Sequence, residues 1–231
     1  MTPFPRRPQA VIFDMDGLLF DTESLYREAM ILAARDRGHD MPLSLFLSLI
    51  GLPGEASRPL LVDHFGTDFS VEDLWDASDA HFHAMIETQT FLKAGVVELL
   101  DLLDAAGLPR AIATSSSHAS VTHHLAHHGL SDRFHTIVAQ GDYPRGKPHP
   151  DPFLVAAKRL GVAPEACLAL EDSHNGIRSA ASAGMMAVMV PDLLEPTVEM
   201  EGLCHRIVRD LHEVCDLLGR TQGLVPGMLP D

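Results

Sequence analysis

The sequence contains few cysteines and few aromatic residues. Its 231 residues include 3 Cys, and aromatic residues make up 6% of the chain. The three cysteines, Cys167, Cys204 and Cys215, are an odd number and form no C-x-x-C pair. We therefore expect no disulfide framework, and we predict a reducing, cytoplasmic environment.

Basic side chains are also scarce relative to acidic ones. Lys and Arg number 17 against 32 Asp and Glu, which gives a formal net charge of −15 at pH 7. A field of this sign repels phosphate, so we expect neither nonspecific nucleic-acid binding nor binding to an anionic membrane. A small phosphorylated ligand stays compatible with this charge, because the few charges of a pocket decide what it binds.

Long apolar runs are absent as well. No segment approaches the roughly 18 apolar residues of a membrane-spanning helix. The apolar run Ala10–Phe13 is interrupted at once by Asp14, so we expect no signal peptide. With 46% hydrophobic and 21% charged residues, the composition is typical of a soluble globular protein of one or two domains.

Most of the chain has the pattern of alternating strands and helices. Ala10–Phe13 reads as a strand buried on both faces, and from Phe91 onward strands and helices alternate. Repeated strand–helix units predict an α/β fold, a Rossmann-like parallel sheet with helices on both faces. We predict its further strands at Arg110–Thr114, Thr136–Ala139, Cys167–Leu170, Ala187–Val190 and Ile207–Val208, with helices near Gly95–Ala106, His118–His128, Pro152–Leu160, His174–Ala183 and Leu211–Leu218.

The segment between the first strand and this alternation has only helical patterns. They predict helices from Ser24 to Gly38 and at Pro42–Ile50, Glu55–His64 and Val71–Met85. We therefore predict a core domain of residues 1–22 and 91–231, interrupted by a helical cap of residues 23–90 that serves as a lid. The glycine- and proline-containing tail, residues 221–231, is expected to be irregular.

The loop after the first strand carries two carboxylates, in the order Asp14-Met15-Asp16-Gly17. One carboxylate can attack a phosphoryl group, and the other can protonate the leaving oxygen and later deprotonate water. Gly17 would permit a sharp turn and a close backbone approach. The alternative is an ordinary capped turn, in which Asp and Gly are common.

Two further loops offer groups that suit a phosphate. Thr114 and Ser115 follow the strand at Ala111–Ala113, where hydroxyl and backbone N–H groups at a helix start can bind an anion. Lys147 lies between glycine and proline and would be a fixed positive charge. The alternatives are an ordinary helix N-cap for the first loop and a surface turn for the second.

A fourth loop, after the strand at Cys167–Leu170, begins with Glu171 and Asp172. With Asp14 they could form a Mg²⁺ site, since this ion requires hard oxygen ligands. The alternative is an acidic N-cap for the following helix. All four loops nevertheless fall at the carboxyl ends of strands, where α/β proteins bind ligands, and together they predict a phosphoryl-transfer site.

Four ordered strings around a helical insertion resemble the motifs of the haloacid dehalogenase superfamily. They are Val11–Glu23, Ala111–Thr114, Gly146–Phe153 and Leu170–Ile177. The nearest branch is the β-phosphoglucomutase-like group of sugar-phosphate phosphatases and mutases. The resemblance implies a phosphatase acting on a small phosphorylated metabolite such as a sugar phosphate, with Mg²⁺ as cofactor, in a monomer or weak homodimer.

The resemblance also implies a role for each residue. Asp14 would form an aspartyl phosphate and Asp16 would act as general acid and base. Mg²⁺ would bind the Asp14 side chain, the Asp16 carbonyl and Asp172, with Glu171 nearby or acting through water. The phosphoryl group would be held by Thr114, the Ser115 backbone and Lys147.

Departures from family patterns favour a phosphatase over its relatives. Dehalogenases lack the second aspartate, which is present here as Asp16. A mutase of the β-phosphoglucomutase type carries a cap histidine and a cap arginine, whereas the matching positions here are Tyr26 and Gly54, with Arg58 out of register. A mutase stays the alternative. A phosphoacceptor signalling domain is less favoured, because Asp16 would speed hydrolysis of the phosphoryl group.

One histidine-rich stretch has a metal-like spacing. His123 and His127 are four residues apart on a predicted helix, but no carboxylate stands in a position to complete the site. We therefore interpret His123, His124, His127 and His128 as a solvated helix face.

Overall fold

The computed structural model describes residues 4–50, 52, 54–86 and 92–222, and it separates into two compact units. One comprises Met1–Phe20 and Leu92–Asp231, and the other comprises Asp21–Phe91. The boundary predicted at residues 90–91 lies outside the described residues.

Helices alone make up the secondary structure described for the Asp21–Phe91 unit. They are α1 (Thr22–Asp36), α2 (Leu43–Leu49), α3 (Gly54–Phe65) and α4 (Val71–Ile86). Helix α1 packs along α4 and buries Leu25 and Ala29, while α4 buries Leu74. This unit contains a partly open cavity of about 210 Å³, lined mainly by apolar side chains from α1, from α2 and the segment after it, and by Trp75 of α4.

The larger unit is built on a parallel six-stranded sheet with the order β3-β2-β1-β4-β5-β6. The strands are β1 (Ala10–Phe13), β2 (Arg110–Ala113), β3 (Thr136–Val138), β4 (Cys167–Glu171), β5 (Met186–Met189) and β6 (Arg206–Ile207). The helices that connect and follow them are α5 (Val96–Ala105), α6 (His118–His127), α7 (Asp151–Leu160), α8 (His174–Ser182), α9 (Val198–Leu203) and α10 (Leu211–Gln222). The α/β class with a Rossmann-like parallel sheet is thus confirmed.

The central strand β1 shows why these sequences form a buried sheet. Val11 and Phe13 pack into one core cluster, with α5 and α10, while Ala10 and Ile12 pack into a second, with α7 and α8. Both faces of the strand are covered, so its residues are apolar without alternation. Strand β1 lies between β2 and β4, where the strand order of the sheet reverses, and the loops at the carboxyl edge there form a crevice suited to a ligand.

Some sequence-based expectations were wrong in detail. Helix α9 and a 3₁₀ turn at Pro164–Ala166 were not predicted. Helix α9 has six residues and buries only Met200, so its sequence offers too little periodicity to identify it. The predicted irregular tail also begins too early, since Thr221 and Gln222 extend α10. The remainder of that tail, residues 223–231, lies outside the described residues.

The interpretation of these histidines as a solvated helix face is wrong for His124 and His128, whereas His123 and His127 are exposed as expected. His124 is buried, and the rings of His124 and His128 stack on Phe20 at 5.2 and 5.1 Å between centroids. Both follow the buried Val121 at helical spacing, three and seven residues on, which places them on the inward side of α6. Burial lowers the pKa of both histidines, which favours the neutral form of each ring.

None of the helices in the described part of the chain is both long and apolar enough to cross a membrane.

Candidate active site

The carboxyl edge of the sheet brings the four polar loops together around Asp14. This residue follows β1, and its backbone N–H donates to the carbonyl of Leu170 on β4 at 2.9 Å. Asp14 is 7% exposed, so the loop holds a carboxylate almost out of contact with solvent. A buried carboxylate is costly unless a cation or hydrogen-bond donors offset it.

Lys147 supplies one such cation. Its Nζ donates to Asp14 Oδ1 and to Glu171 Oε1, and its side chain is only 7% exposed. Burial raises the pKa of the Asp14 carboxyl and Lys147 opposes this, while the neighbouring carboxylates raise it further. Burial opposes the charge on Lys147, but Asp14 and Glu171 outweigh that effect and raise the pKa of its ammonium. One lysine therefore holds two buried carboxylates together.

Glu171 is the most deeply placed of these acids, with no solvent exposure. Its Oε2 accepts hydrogen bonds from the Ser173 hydroxyl at 3.0 Å and the Ser173 N–H at 3.3 Å. Helix α8 starts directly over it, and a Cβ on Gly176 would lie 1.8 Å from the Glu171 Cδ. Only glycine at position 176 leaves room for this carboxylate, because any side chain there would overlap it.

A divalent cation fits the acids that converge here. Oxygen atoms of Asp14, Glu171 and Asp172 all lie within 4.8 Å of one another, and each of the three residues is at most 9% exposed. These are hard oxygen donors, which suit Mg²⁺. Lys147 brings one positive charge to a group of three carboxylates, which suits the further binding of a cation.

Gly17 brings the backbone close to this cluster. Its φ is +80°, and a Cβ at this position would lie 2.3 Å from Asp172 Oδ2. Glycine is therefore required at position 17 both for the backbone conformation and for space.

We expect Gly17→Ala to abolish Mg²⁺ binding and activity, because the added methyl group would displace Asp172. The matched control is Gly184→Ala, since Gly184 has a φ of +76° but a Cβ there would meet nothing within 4 Å. Both variants should lose about 1–2 kcal/mol of unfolding free energy from the left-handed backbone. Thermal unfolding and Mg²⁺ titration separate the effects. Equal Mg²⁺ affinity in the two variants would contradict the assignment of Asp172.

Asp16 is held by the loop after β2. Its Oδ2 accepts a hydrogen bond from the Ser116 hydroxyl at 2.6 Å and lies 3.5 Å from the Thr114 hydroxyl. Thr114 is itself buried, and its Oγ1 accepts from the Ser116 N–H at 3.0 Å. Ser115 is exposed. Thus Ser116, rather than either predicted phosphate-binding residue, makes the shortest of these contacts with Asp16.

We expect Ser116→Ala to lower kcat by roughly 10-fold, because a hydrogen bond to a charged group contributes about 1.5–3 kcal/mol. KM should change little, since the loss falls on the orientation of Asp16. The control is Ser117→Ala, which removes the N-cap of α6 and its bond from the Ser120 N–H at 3.2 Å. Steady-state kinetics decide the matter. A KM effect without a kcat effect would place Ser116 in binding instead.

All the residues predicted for the site lie at this edge, in loops except for Glu171, which ends β4 rather than beginning the loop after it. They are Asp14, Asp16, Thr114, Ser115, Lys147, Glu171 and Asp172. Lys147 joins Asp14 to Glu171, and Asp172 completes the acidic cluster, while Asp16 faces the Thr114 loop. Ser116 and Gly176 were not identified as functional from the sequence. The only signal in the sequence was that Ser116 is next to Ser115 and that Gly176 is close to the Glu171-Asp172 pair.

Comparison with known proteins finds similarity to hydrolases and phosphatases. A sequence model described as haloacid dehalogenase-like hydrolase matches residues 8–184. A protein of Drosophila melanogaster named a probable pseudouridine-5'-phosphatase is 37% identical over 206 residues, which cover 87% of this chain and 87% of that protein. A phosphorylated carbohydrates phosphatase of Thermotoga maritima is 31% identical, over 77% of this chain and 82% of its own.

A solved structure shares the architecture. The crystal structure of a β-phosphoglucomutase from Clostridium difficile superposes with a TM-score of 0.73 at 25% identity, covering 94% of this chain and 97% of the other. Sequence and structure comparisons therefore extend over most of the chain, including both of its units.

Proposed function

The chain belongs to the haloacid dehalogenase-like hydrolase family, and from that premise we propose that it is a Mg²⁺-dependent phosphatase of a small phosphorylated metabolite. The sugar-phosphate class is the preferred substrate, in keeping with the phosphorylated carbohydrates phosphatase to which it is similar. The observation that carries the proposal is the buried Lys147, which holds Asp14 beside Glu171 and Asp172.

Asp14 is the proposed nucleophile. Its carboxylate oxygen attacks the phosphorus of the substrate, the bond from phosphorus to the ester oxygen breaks, and an aspartyl phosphate forms. Burial alone raises the pKa of Asp14 and favours its neutral form, whereas Lys147 favours the charged form that attacks. Lys147 contacts the same carboxylate and would keep it oriented.

Asp16 is the proposed general acid and base. It gives its proton to the leaving ester oxygen, and it then takes a proton from a water molecule that attacks the phosphorus. The aspartyl–phosphorus bond breaks, and Asp14 is restored as inorganic phosphate leaves. The 2.6 Å contact with Ser116 supports this role, because it fixes the side chain that must meet both oxygens.

The remaining residues hold charge in place. Asp172 and Asp14 would bind Mg²⁺, together with the Asp16 carbonyl, and Glu171 would act from nearby because Lys147 and Ser173 already occupy its oxygens. When bound, the ion neutralises charge on the phosphoryl group. Thr114, the Ser115 backbone and Lys147 would hold that group. Such positioning and charge stabilisation supply most of the catalysis in phosphoryl transfer.

A phosphomutase is the second candidate, because the β-phosphoglucomutase named above shares the fold. A mutase must also bind the second phosphate of a bisphosphate, which requires a further cation. The cavity of the Asp21–Phe91 unit has Glu23 and Tyr26 in its lining and, among the described residues, no basic one. Arg58 pairs with Glu72 at 2.6 Å and lies over Trp75. These contacts favour the phosphatase.

The test is phosphate release from a panel of sugar phosphates, polyol phosphates, nucleotides and small phosphorylated acids, with and without Mg²⁺. We expect release that requires Mg²⁺ and prefers substrates with a single phosphate. Conversion of a hexose 1-phosphate to its 6-phosphate, without release of inorganic phosphate, would instead identify a mutase. Release that survives complete chelation of divalent ions would contradict the metal dependence.

A further inference from the structure

A fifth carboxylate lies next to the acidic cluster, in a loop that none of the four motifs contains. Asp192 follows β5 at the carboxyl edge of the sheet, and its side chain is 10% exposed. Its Oδ1 accepts from Lys93 Nζ at 2.6 Å. Its Oδ2 is fully buried and has no hydrogen-bond partner among the residues that the structure describes.

The unpartnered oxygen points towards the site. A Cβ on Gly17 would lie 3.4 Å from Asp192 Oδ2 and 2.3 Å from Asp172 Oδ2, so both oxygens face the same side of the Gly17 α-carbon. Asp172 belongs to the proposed metal cluster, whereas Asp192 lies outside the group of oxygens that are within 4.8 Å of one another. Asp192 is thus close to the cluster without being part of it.

This arrangement is unfavourable unless something lies between the two carboxylates. A buried anionic oxygen without a donor is unfavourable, and a second carboxylate nearby adds repulsion. Lys93 offsets the charge of Asp192 through the other oxygen only. A hydrogen-bond donor that is itself drawn to negative charge would satisfy the remaining one, and water bound to a divalent cation is such a donor.

We propose that Asp192 is a positioning residue of the divalent-cation site, and that its Oδ2 accepts a hydrogen bond from a water molecule carried by the ion. Lys93 contacts only Oδ1 of this carboxylate, and Oδ2 is left directed at the cluster. Carboxylates that do not contact the metal themselves can orient its ligands through hydrogen bonds. Their loss typically weakens metal binding by about 10–100-fold. The inference rests on the metal site of the proposed function but requires no turnover.

The experiment is calorimetric titration of the full-length, metal-free protein with Mg²⁺ alone. Asp192→Asn should raise the Kd for Mg²⁺ by roughly 10-fold. Lys93→Met should leave the Kd unchanged or lower it, because it removes a competing positive charge and keeps the carboxylate. The matched charge control is Glu195→Gln, an exposed carboxylate three residues along, which should leave the Kd unchanged.

The Lys93 variant distinguishes this role from a structural one. If Asp192 serves only as the partner of Lys93, either substitution breaks the same ion pair, and the two should alter the Kd alike. That result would overturn the proposal, as would a wild-type Kd in Asp192→Asn. Thermal unfolding without metal checks that each variant is folded. If Asp192→Asn is not folded, the double variant Lys93→Met/Asp192→Asn, which carries neither charge, replaces it. Its Kd for Mg²⁺ should also be raised by roughly 10-fold. A wild-type Kd in the double variant would equally overturn the proposal.

Failure of this inference is distinguishable from failure of the proposed function. If the wild-type enzyme releases phosphate and Asp192→Asn does not change the Kd for Mg²⁺, the phosphatase assignment is unaffected. Mg²⁺ binding that depends on Asp192, in a protein that hydrolyses none of the panel, would support this role of Asp192 and contradict the phosphatase.

Discussion

Replacing Asp14 with Asn is expected to abolish phosphate release, with kcat lower by at least about 10⁴-fold. An amide lacks the anionic oxygen that attacks phosphorus. The fold should persist, because Lys147 keeps its ion pair with Glu171 and the backbone N–H at position 14 still donates to Leu170. Phosphate release under saturating Mg²⁺ and substrate measures the effect, and thermal unfolding confirms that the variant is folded.

The control for this variant is Asp101→Asn. It removes a half-exposed carboxylate that pairs with Arg133 and belongs to none of the site loops. It should retain wild-type activity. Near-normal activity in Asp14→Asn would remove this residue from the role of nucleophile, and the buried Lys147 contact would then have to be explained as structural.

Replacing Asp16 with Asn should slow both half-reactions, with kcat for an alkyl phosphate lower by about 10²–10⁴-fold. Neither protonation of the leaving oxygen nor deprotonation of water can then occur at this position. Mg²⁺ affinity should be retained, because only the backbone carbonyl of Asp16 would bind the ion, while Asp14 and Asp172 supply the carboxylates and Glu171 stays nearby.

The leaving group provides a sharper readout of Asp16. An aryl phosphate releases a stable phenolate that needs no proton, so Asp16→Asn should lose far less in the first half-reaction with such a substrate. The phosphorylated enzyme should then accumulate, because water is still not deprotonated. An equal loss of the first half-reaction with alkyl and aryl phosphates would show that Asp16 does not act as the acid.

Much of the fold was predictable because each element carries its own local signal. Strand β1 is a short apolar run ended by Asp14, and its burial on both faces is already evident in the unbroken apolarity of Ala10–Phe13. The site residues were predictable for a related reason. Carboxyl ends of parallel strands meet at one edge, so polar residues that follow separate strands are brought together without any knowledge of the packing.

The features that escaped prediction depend on tertiary contacts. His124 is polar, and only its packing on Phe20 shows that it belongs to the core. Nothing in the sequence around Gly176 shows that the Glu171 carboxylate occupies the space next to its α-carbon. Asp192 also follows a strand, but its direction towards Gly17 depends on the loop conformation, which the sequence does not show.

The most direct test of the central claim is to locate the phosphoryl group on the protein. Asp16→Asn, mixed with Mg²⁺ and an aryl phosphate and then quenched in acid, should give one phosphorylated peptide by mass spectrometry. The predicted result is a single phosphoryl group on Asp14, absent when Asp14→Asn is added to the same variant. A phosphoryl group on any other residue, or turnover of the aryl phosphate with no phosphorylated peptide, would contradict nucleophilic catalysis by Asp14.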